Sequence, residues 1–298
     1  MSGGPDSLAL LLLAQSVVPG SFVAVTVDHG LRAESAAEAV SVGKICAERG
    51  IRHQTLRIQV ESGSALQERA RAMRYAALGA WATSTGHAAI VTAHHADDQA
   101  ETLLMRLSRG AGVRGLAAMR NRASLPGQPD RVLLRPLLGW RRSELAGIVA
   151  EAGIKPVVDP SNTDPRFERA RLRASLWGIP GLDILAVAAS AGHLGEADDA
   201  IEWVTERCLA EVETRKLALH WVPADTPPAV VLRVLERVVL RLGGKQPRGN
   251  ALARWRDSLA AGRIATLAGV RGDGSTAEWR FEAAPPPRRS PQALKDVP

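Results

Sequence analysis

The stretch that decides the fold is Ser2-Gly3-Gly4-Pro5-Asp6-Ser7, which is followed directly by the apolar run from Leu8 to Leu13. Two glycines let the backbone turn tightly and approach a ligand closely. A helix that begins after them directs unpaired N–H groups and the positive end of its dipole into the loop. The stretch therefore predicts an anion site, most often a phosphate site, although a plain Gly-Pro-Asp turn would be the simpler explanation if it stood alone.

The loop lacks the Gly-Lys-Ser/Thr ending of a Walker A loop. It resembles the pyrophosphate-binding loop of the PP-loop ATP pyrophosphatases, which split ATP between the α and β phosphates. In a nucleotide-binding α/β unit such a loop follows a strand, yet only Met1 precedes it here. We therefore expect the first strand of the sheet to be missing, either because the natural chain begins upstream of Met1 or because that strand has been lost.

Short β-branched runs alternate with helical patterns along the first 150 residues. Strands are predicted at residues 22–27, 51–60, 88–93 and 133–138, and helices at 36–49, 64–83, 99–108 and 142–152. This alternation predicts an α/β fold with a doubly wound parallel sheet. Ligands bind past the carboxyl ends of such strands. The glycine loop, Asp28-His29 and the stretch from His94 to Asp98 all fall there, so we expect them to meet in one site.

Length and composition predict two domains and a tail. We expect a PP-loop domain at residues 1–178, a smaller and mainly helical domain at 179–284, and a disordered, Pro-rich tail at 285–298. The sequence Ile179-Pro180-Gly181 marks the boundary between the two domains.

The net charge of +7 is concentrated in one segment, because residues 101–180 hold 14 Lys and Arg against 7 Asp and Glu. Such a basic segment indicates a polyanion partner, although an arginine-rich surface would explain it equally well. Two unclustered cysteines, Cys46 and Cys208, indicate a reducing cytoplasm without a disulfide framework or a CxxC metal site. No apolar stretch reaches the roughly 18 residues of a membrane span, so we expect no membrane partner.

The stretch from His94 to Glu101 (HHADDQAE) places acid/base groups at a strand-to-helix junction. Asp98 and Glu101 are three residues apart and share a helix face, where they could hold an ammonium group or take part in Mg²⁺ binding. Helix capping by Asp97 would explain one aspartate but not two adjacent histidines. A His/Asp metallohydrolase site is a further hypothesis, but no distant His/Asp set completes it.

Three groups of arginines lie on predicted helices and could bind phosphate groups. A solvent-exposed basic helix face is the simpler explanation for each group taken alone. The groups are Arg69, Arg71 and Arg74; Arg169 and Arg173, which lie one turn apart; and Arg233, Arg237 and Arg241, which lie in line on one face.

Together these segments resemble one family closely, the tRNA(Ile)-lysidine synthetases. The resemblance covers nearly all of the first 175 residues, and the order of the HHADDQAET and DPSN segments is its most specific part. The matching stretches are SGGPDSLALL at 2–11, VDHGLR at 27–32, GSALQERARAMRY at 63–75, TAHHADDQAETLLMRLSRGAGVRGLAAM at 92–119, RPLL at 135–138 and DPSNTDPRFERARLR at 159–173.

The resemblance implies a defined reaction. ATP would adenylate the C2 oxygen of the wobble cytidine, C34, in tRNA(Ile) with a CAU anticodon, and pyrophosphate would leave. The amine of L-lysine would then attack C2 and expel AMP, which gives lysidine. Lysine must lose a proton to attack, and either a carboxylate or His94 would accept it.

The resemblance also implies roles for the matching residues. ATP would be bound by Ser2, Gly3, Gly4, Pro5, Asp6 and Ser7, with Asp6 also holding Mg²⁺. L-lysine would be bound by Asp98 and Glu101, and the catalytic residues would be Asp6, His94 and Asp98. The tRNA or its activated cytidine would contact Arg74, Arg169, Arg173, Arg233, Arg237 and Arg241.

Two alternatives remain open on the sequence. One is another PP-loop tRNA modifier that thiolates cytidine, a chemistry that usually needs paired or cluster-binding cysteines. The other is a catalytically inactive tRNA-binding protein, if the chain truly begins at Met1.

Overall fold

The computed structural model of the protein describes residues 1–30, 34–60, 63, 65–157, 171–173, 175, 179–247 and 250–285. The chain forms two compact units that divide between Glu196 and Ala197. This division lies C-terminal to the boundary that the sequence predicts at residue 179. No helix in the described ranges is both long enough and apolar enough to cross a membrane.

The first unit alternates helices and strands. Its helices are α1 (Pro5–Val17), α2 (Glu34–Glu48), α3 (Leu66–Ser84), α4 (Ala96–Leu107), α5 (Val113–Leu116) and α6 (Arg142–Glu151). Its strands are β1 (Ala24–Asp28), β2 (His53–Arg57), β3 (Ala89–Val91), β4 (Arg122–Leu125) and β5 (Gln128–Leu134). A long helix, α7 (Ile184–Ala210), crosses the division between the units.

The strands form two sheets rather than the single doubly wound sheet that the sequence predicts. Strands β1 and β2 are parallel, with Asp28 opposite Arg57, and β3 is parallel to β5, with Val91 opposite Leu134. Among the described residues no ladder joins β1 to β3. The α/β class and the parallel pairs are as predicted, whereas one continuous sheet is not.

Strand β4 is an addition that the sequence analysis missed. It pairs antiparallel with β5 through a turn in which Gly127 has a φ of +78°. Glycine adopts that conformation without steric cost, and Pro126 precedes it in the chain, as is common in turns. The parallel sheet therefore ends in an antiparallel edge.

Helix α1 begins where the loop predicts. Gly4 is its N-cap and Pro5 occupies the first helical position, where a missing N–H costs nothing. Its apolar run then packs into a core with α2 and α6; the buried side chains of this core include Leu8, Leu11, Val42, Leu137, Leu145 and Val149.

The start of α4 is fixed to the start of α6 by Asp97. Arg141 donates to its carboxylate from Nε and Nη2, both at 3.2 Å, and the N–H of Arg142 donates at 2.9 Å. The N–H of Ala96 also donates to the carbonyl of Trp140 at 2.9 Å. Burial alone would raise the pKa of Asp97, but these hydrogen bonds and the Arg141 charge lower it. We name this contact the α4–α6 joint.

The second unit is not only helical, because it contains a five-stranded antiparallel sheet in the order β6-β7-β10-β9-β8. Aromatic side chains from this sheet, among them Trp221, Trp279 and Phe281, pack against the helices. The elements are β6 (Glu213–Arg215), β7 (Ala218–Trp221), α8 (Pro228–Arg241), α9 (Ala251–Ala260), β8 (Ile264–Leu267), β9 (Val270–Asp273) and β10 (Trp279–Ala283).

The prediction of a mainly helical domain missed this sheet because its strands are only three to five residues long. The pattern of residues 182–219 taken by itself predicts mostly helix. The chain instead turns at Lys216, which has a φ of +57°, and folds β7 back onto β6. Strands this short give too few residues for an alternating pattern to emerge.

We expect Asp97→Asn to destabilise the first unit by about 1–3 kcal/mol, because Arg141 loses a charged hydrogen-bond partner. The folded pKa of Asp97 is lowered, so its stabilisation is present above its ordinary value of 3.8 and is lost as the pH falls below that value. Urea unfolding between pH 7 and pH 3 measures this difference. The exposed Asp130 provides the control Asp130→Asn, which should behave as the wild type; equal stability of both variants at pH 7 would contradict the joint.

Candidate active site

The glycine loop is held in a turn that requires glycine at residue 3. Gly3 has a φ of +74°, and a Cβ on it would lie 2.9 Å from Cγ2 of Val157. Its carbonyl accepts a hydrogen bond from the N–H of Val157 at 2.9 Å. The Ser7 hydroxyl donates to the Gly4 carbonyl at 3.0 Å and lies 3.2 Å from the Ser2 hydroxyl. The loop thus presents two hydroxyls beside the first turn of α1, whose N–H groups lack helical partners.

Asp6 connects this loop to α4. Its Oδ2 lies 3.5 Å from Nε2 of His95, so the loop and the stretch from His94 to Glu101 are neighbours, as the strand arrangement predicts. Its Oδ1 is buried and has no hydrogen-bond partner among the described residues. A buried carboxylate oxygen without a partner is costly in the free protein, and it leaves a position open for a ligand.

His95, rather than Asp97, is the N-cap of α4. Its Nδ1 accepts from the N–H of Asp98 at 3.4 Å, and Oδ2 of Asp98 accepts from the N–H of His95 at 3.2 Å. The interpretation of Asp97 as the cap is therefore wrong, because the helix begins two residues earlier than that cap requires, at Ala96, and Asp97 forms the α4–α6 joint instead.

The environment of His95 favours its charged form. Burial alone would lower its pKa, but the hydrogen bond to Asp6 and the charges of Asp98, Asp6 and Asp97 outweigh burial and raise the pKa. In the neutral form, Nδ1 accepts from Asp98, so the proton sits on Nε2, which faces Asp6 and lies 3.5 Å from Oδ2 of Asp98. His95 therefore links the two aspartates that the resemblance makes catalytic.

His94 lies in a different electrostatic environment from its neighbour. Its Nδ1 is 2.9 Å from the hydroxyl of Thr92. Burial lowers its pKa to about 4, helped by the charges of Arg135, Arg71 and Arg74, although Asp98 opposes them. His94 is therefore neutral at pH 7 and lies on the arginine side of the site.

Glu101 and Asp98 already hold a cation. Glu101 is 3% exposed, and it accepts from Nε of Arg173 at 2.6 Å and from Nη2 at 3.2 Å. Oδ1 of Asp98 lies 4.0 Å from Nη2 of Arg173. Asp98 and Glu101 are predicted to bind lysine, and Arg173 is predicted to bind tRNA. In the structure these residues contact one another, and the guanidinium of Arg173 lies where the ammonium group of a ligand was expected.

The predicted basic face of α8 differs from expectation in charge and exposure. Arg233 is 9% exposed and pairs with Asp198 and with Glu202, whereas Arg237 pairs with Glu202. The prediction that Arg233 offers its charge to tRNA is wrong, because acidic residues of α7 neutralise it inside the unit. Arg241 is exposed at the end of α8.

Arg74 is half-buried on α3 beside the ring of Tyr75. Burial lowers its pKa, and the charge of Arg71 adds to this effect, although Tyr75 opposes both. Arg169 lies outside the described residues.

Two residues of the site were not predicted. His95 was noticed only as one of two adjacent histidines, and its role as a link follows from contacts that span 89 positions between Asp6 and His95. Arg135, the first residue of the RPLL stretch, is buried, and its charge helps to lower the pKa of His94. Its position at the end of β5 was the signal that could have revealed it, since ligands collect at that edge.

Comparisons with known proteins agree with this geometry. The family model described as a PP-loop domain matches residues 1–178. The tRNA(Ile)-lysidine synthase of Novosphingobium aromaticivorans is 56% identical over 96% of this chain and 88% of the relative. That of Zymomonas mobilis is 42% identical over 97% and 89%, and that of Ruegeria pomeroyi is 39% identical over 94% and 69%.

Among solved structures, the chain is similar to a U34-tRNA thiolase from Methanococcus maripaludis. The TM-score is 0.53 at 19% identity, over 66% of this chain and 71% of the other. At that identity the similarity shows a shared fold alone. The matched family model and the extent of the sequence identity show that the chain belongs to the tRNA(Ile)-lysidine synthase family of PP-loop domain proteins.

Proposed function

We propose that this protein ligates L-lysine to C2 of the wobble cytidine of tRNA(Ile) with a CAU anticodon and converts ATP to AMP and pyrophosphate. The observation that carries the proposal is the contact between Asp6 and His95, because it joins a phosphate-type loop to a cation-binding pair of carboxylates. The names of the relatives support the substrate.

The first half-reaction is assigned to the loop. The hydroxyls of Ser2 and Ser7, the backbone of Gly3, Gly4 and Pro5, and the N-terminus of α1 would bind phosphate oxygens. The C2 oxygen of cytidine attacks the α-phosphorus of ATP, and the bond from that phosphorus to the bridging oxygen breaks. Pyrophosphate leaves with the electron pair, and donors placed in advance stabilise the developing charge.

Asp6 is the residue that fits Mg²⁺. Its Oδ1 is buried and without a partner, and Mg²⁺ is commonly held by one or two carboxylates together with substrate phosphates. No group of three or more His, Cys, Asp or Glu side chains in the described ranges could hold a metal by itself. When bound, the ion would neutralise phosphate charge.

The second half-reaction is assigned to α4. The guanidinium of Arg173 pairs with Glu101 and lies near Asp98, which supports the assignment of this pair to a cationic ligand. Lysine would take the place of Arg173 or share the pair with it. Its neutral amine then attacks C2 and AMP leaves; the released proton passes to Asp98 or to the neutral His94.

Binding of tRNA is assigned to arginines that keep their charge available. Arg74 borders the site, and Arg241 is exposed on α8. Arg169 belongs to the same basic segment of sequence as Arg173, whose charge is paired with Glu101. Arg237 is 40% exposed while paired with Glu202, and its contribution is correspondingly smaller.

Thiolation is less well supported. The similar thiolase carries an iron–sulfur cluster, and such clusters are held by cysteine thiolates. The two cysteines in this sequence are free and lie in different units, Cys46 on α2 and Cys208 on α7. Incubation with ATP, tRNA and labelled lysine tests the ligase directly, because a thiolase would leave lysine unincorporated.

We expect Asp6→Asn to slow the release of pyrophosphate by about 100-fold or more, because the transition state loses a positioned charge. The affinity for tRNA should stay within about twofold, since Asp6 does not contact the RNA in this proposal. Pyrophosphate release and filter binding measure the two quantities, with Asp130→Asn as the control. Equal losses of both would place Asp6 outside the ATP site.

We expect Glu101→Gln to raise KM for lysine by about tenfold or more, because a charged hydrogen bond is lost. Exchange of labelled pyrophosphate into ATP, which needs no lysine, should be retained and shows that the variant is folded. Glu151→Gln on the exposed end of α6 is the control. An unchanged KM would remove Glu101 from the lysine site.

We expect Arg233→Met and Arg241→Met to separate stability from tRNA binding. The first should destabilise the protein by about 3 kcal/mol, because Asp198 and Glu202 lose their counter-charge. The second should leave stability unchanged, weaken tRNA binding and reduce its salt dependence by about one charge. Thermal unfolding and binding at several salt concentrations measure both; a reversed pattern would contradict the assignment.

A further inference from the structure

Several buried polar atoms near the site have no hydrogen-bond partner among the described residues. Two of them are Oη of Tyr75, on α3, and Nε of Arg135, at the end of β5. Buried polar groups in folded proteins are nearly always paired. Two unpaired donors in one region therefore point to a ligand that is absent from the free protein.

Arg135 is the first residue after β5, and the strand register fixes where it lies. Val91 of β3 is opposite Leu134 of β5, so Arg135 follows at the carboxyl edge of the parallel pair, beside the segment that leads to His94. Arg135 is 7% exposed. Its Nη1 donates to the carbonyl of Arg120 at 2.8 Å, and no carboxylate in the described part of the chain pairs with it.

Tyr75 adds a second donor and two further cations. Its ring is 1% exposed and packs with Ile90 and Leu133 of the parallel pair. The guanidinium carbons of Arg71 and Arg74 lie 5.2 and 5.5 Å from the ring centroid. The hydroxyl is therefore a donor in a positively charged environment.

The charges of this group act on one another. Burial lowers the pKa of Arg135, and the charge of Arg71 contributes, although Tyr75 opposes both. Burial and the same arginines keep His94 neutral. A buried guanidinium without a counter-charge is unfavourable, so the free protein holds an excess of positive charge that an anion would relieve.

Phosphate is the anion that this arrangement fits best. A guanidinium presents a planar set of N–H donors to two oxygens of a phosphate. The Nε–H of Arg135, which has no partner among the described residues, is one of these donors. The tyrosine hydroxyl can donate to a third oxygen. No carboxylate among the described residues pairs with the guanidinium of Arg135. The site therefore favours a negatively charged ligand over a cationic one.

We propose that Arg135, together with Arg74 and the hydroxyl of Tyr75, binds a phosphate group of a substrate through side chains outside the glycine loop. The proposal rests on the proposed function for the source of that phosphate. It is either the phosphate that leaves as AMP or a phosphodiester of the tRNA next to the target cytidine.

The test compares Arg135→Gln with Arg131→Gln, using AMP and tRNA as separate probes. Arg131 is a matched control, because it lies four residues earlier, on β5, and also donates to one carbonyl, that of His87 at 3.2 Å. Calorimetry measures AMP binding, and filter binding at several salt concentrations measures tRNA binding, both without lysine or turnover.

We expect Arg135→Gln to weaken the binding of one probe by about tenfold or more. Arg131→Gln should weaken the binding of neither probe. Loss of AMP binding identifies the nucleotide phosphate as the ligand. Loss of tRNA binding with a salt slope reduced by about one identifies a phosphodiester. Wild-type affinity for both probes in Arg135→Gln would overturn the proposal.

If Arg135→Gln does not fold, the variant Tyr75→Phe still tests the proposed site. The guanidinium groups of Arg135 and Arg74 interact with the Tyr75 hydroxyl, but no close hydrogen bond among the described residues reaches it. Its removal should therefore lower the melting temperature only slightly while it weakens binding of the same probe by about threefold or more. If Arg135→Gln cannot be measured and Tyr75→Phe binds both probes as the wild type does, the proposal is also rejected. Failure of the wild type to incorporate lysine would instead sink the proposed function, while the binding results would stand.

Discussion

The contact between the Asp6 carboxylate and the His95 imidazole is the interaction on which the site depends. It joins the first turn of α1 to the N-cap of α4. Without this contact the glycine loop would be only a turn, and the carboxylates at the start of α4 would only cap a helix. Because His95 also accepts from the Asp98 N–H, a displacement of the loop would reach Asp98 through a single side chain.

The sequence predicts where the site lies better than it predicts which of its residues contact one another. The glycine loop, the strand ends and the HHADDQAE stretch were placed at one edge by a general rule for parallel sheets, and the structure brings the loop and the stretch together. The rule cannot tell which of two adjacent histidines turns toward Asp6, since a strand-to-helix junction rotates consecutive side chains in different directions. The resemblance points to His94 as the catalytic histidine; in the structure His95 makes the contact with Asp6, and the charges of nearby arginines act on His94.

Charge was the least predictable property. A line of arginines on one helix face, such as Arg233 and Arg237, looks the same in sequence whether it faces solvent or a neighbouring helix. Acidic residues of α7, 31 to 35 positions earlier, neutralise these two. Arg173 and Glu101 were likewise assigned to different ligands, yet they bind each other across 72 positions. Ion pairs between distant segments leave no periodic pattern, and for the same reason the short strands of the second unit were missed.

The Gly3–Val157 contact has a consequence for biosynthesis. The carbonyl and the bare Cα of Gly3 contact Val157, so the glycine loop meets its partner only after most of the first unit has been made. A contact of such long range forms late in folding. Nascent chains thus cannot complete the nucleotide loop until the segment that closes it has been translated, and interrupted translation yields fragments whose loop is not fixed for ATP.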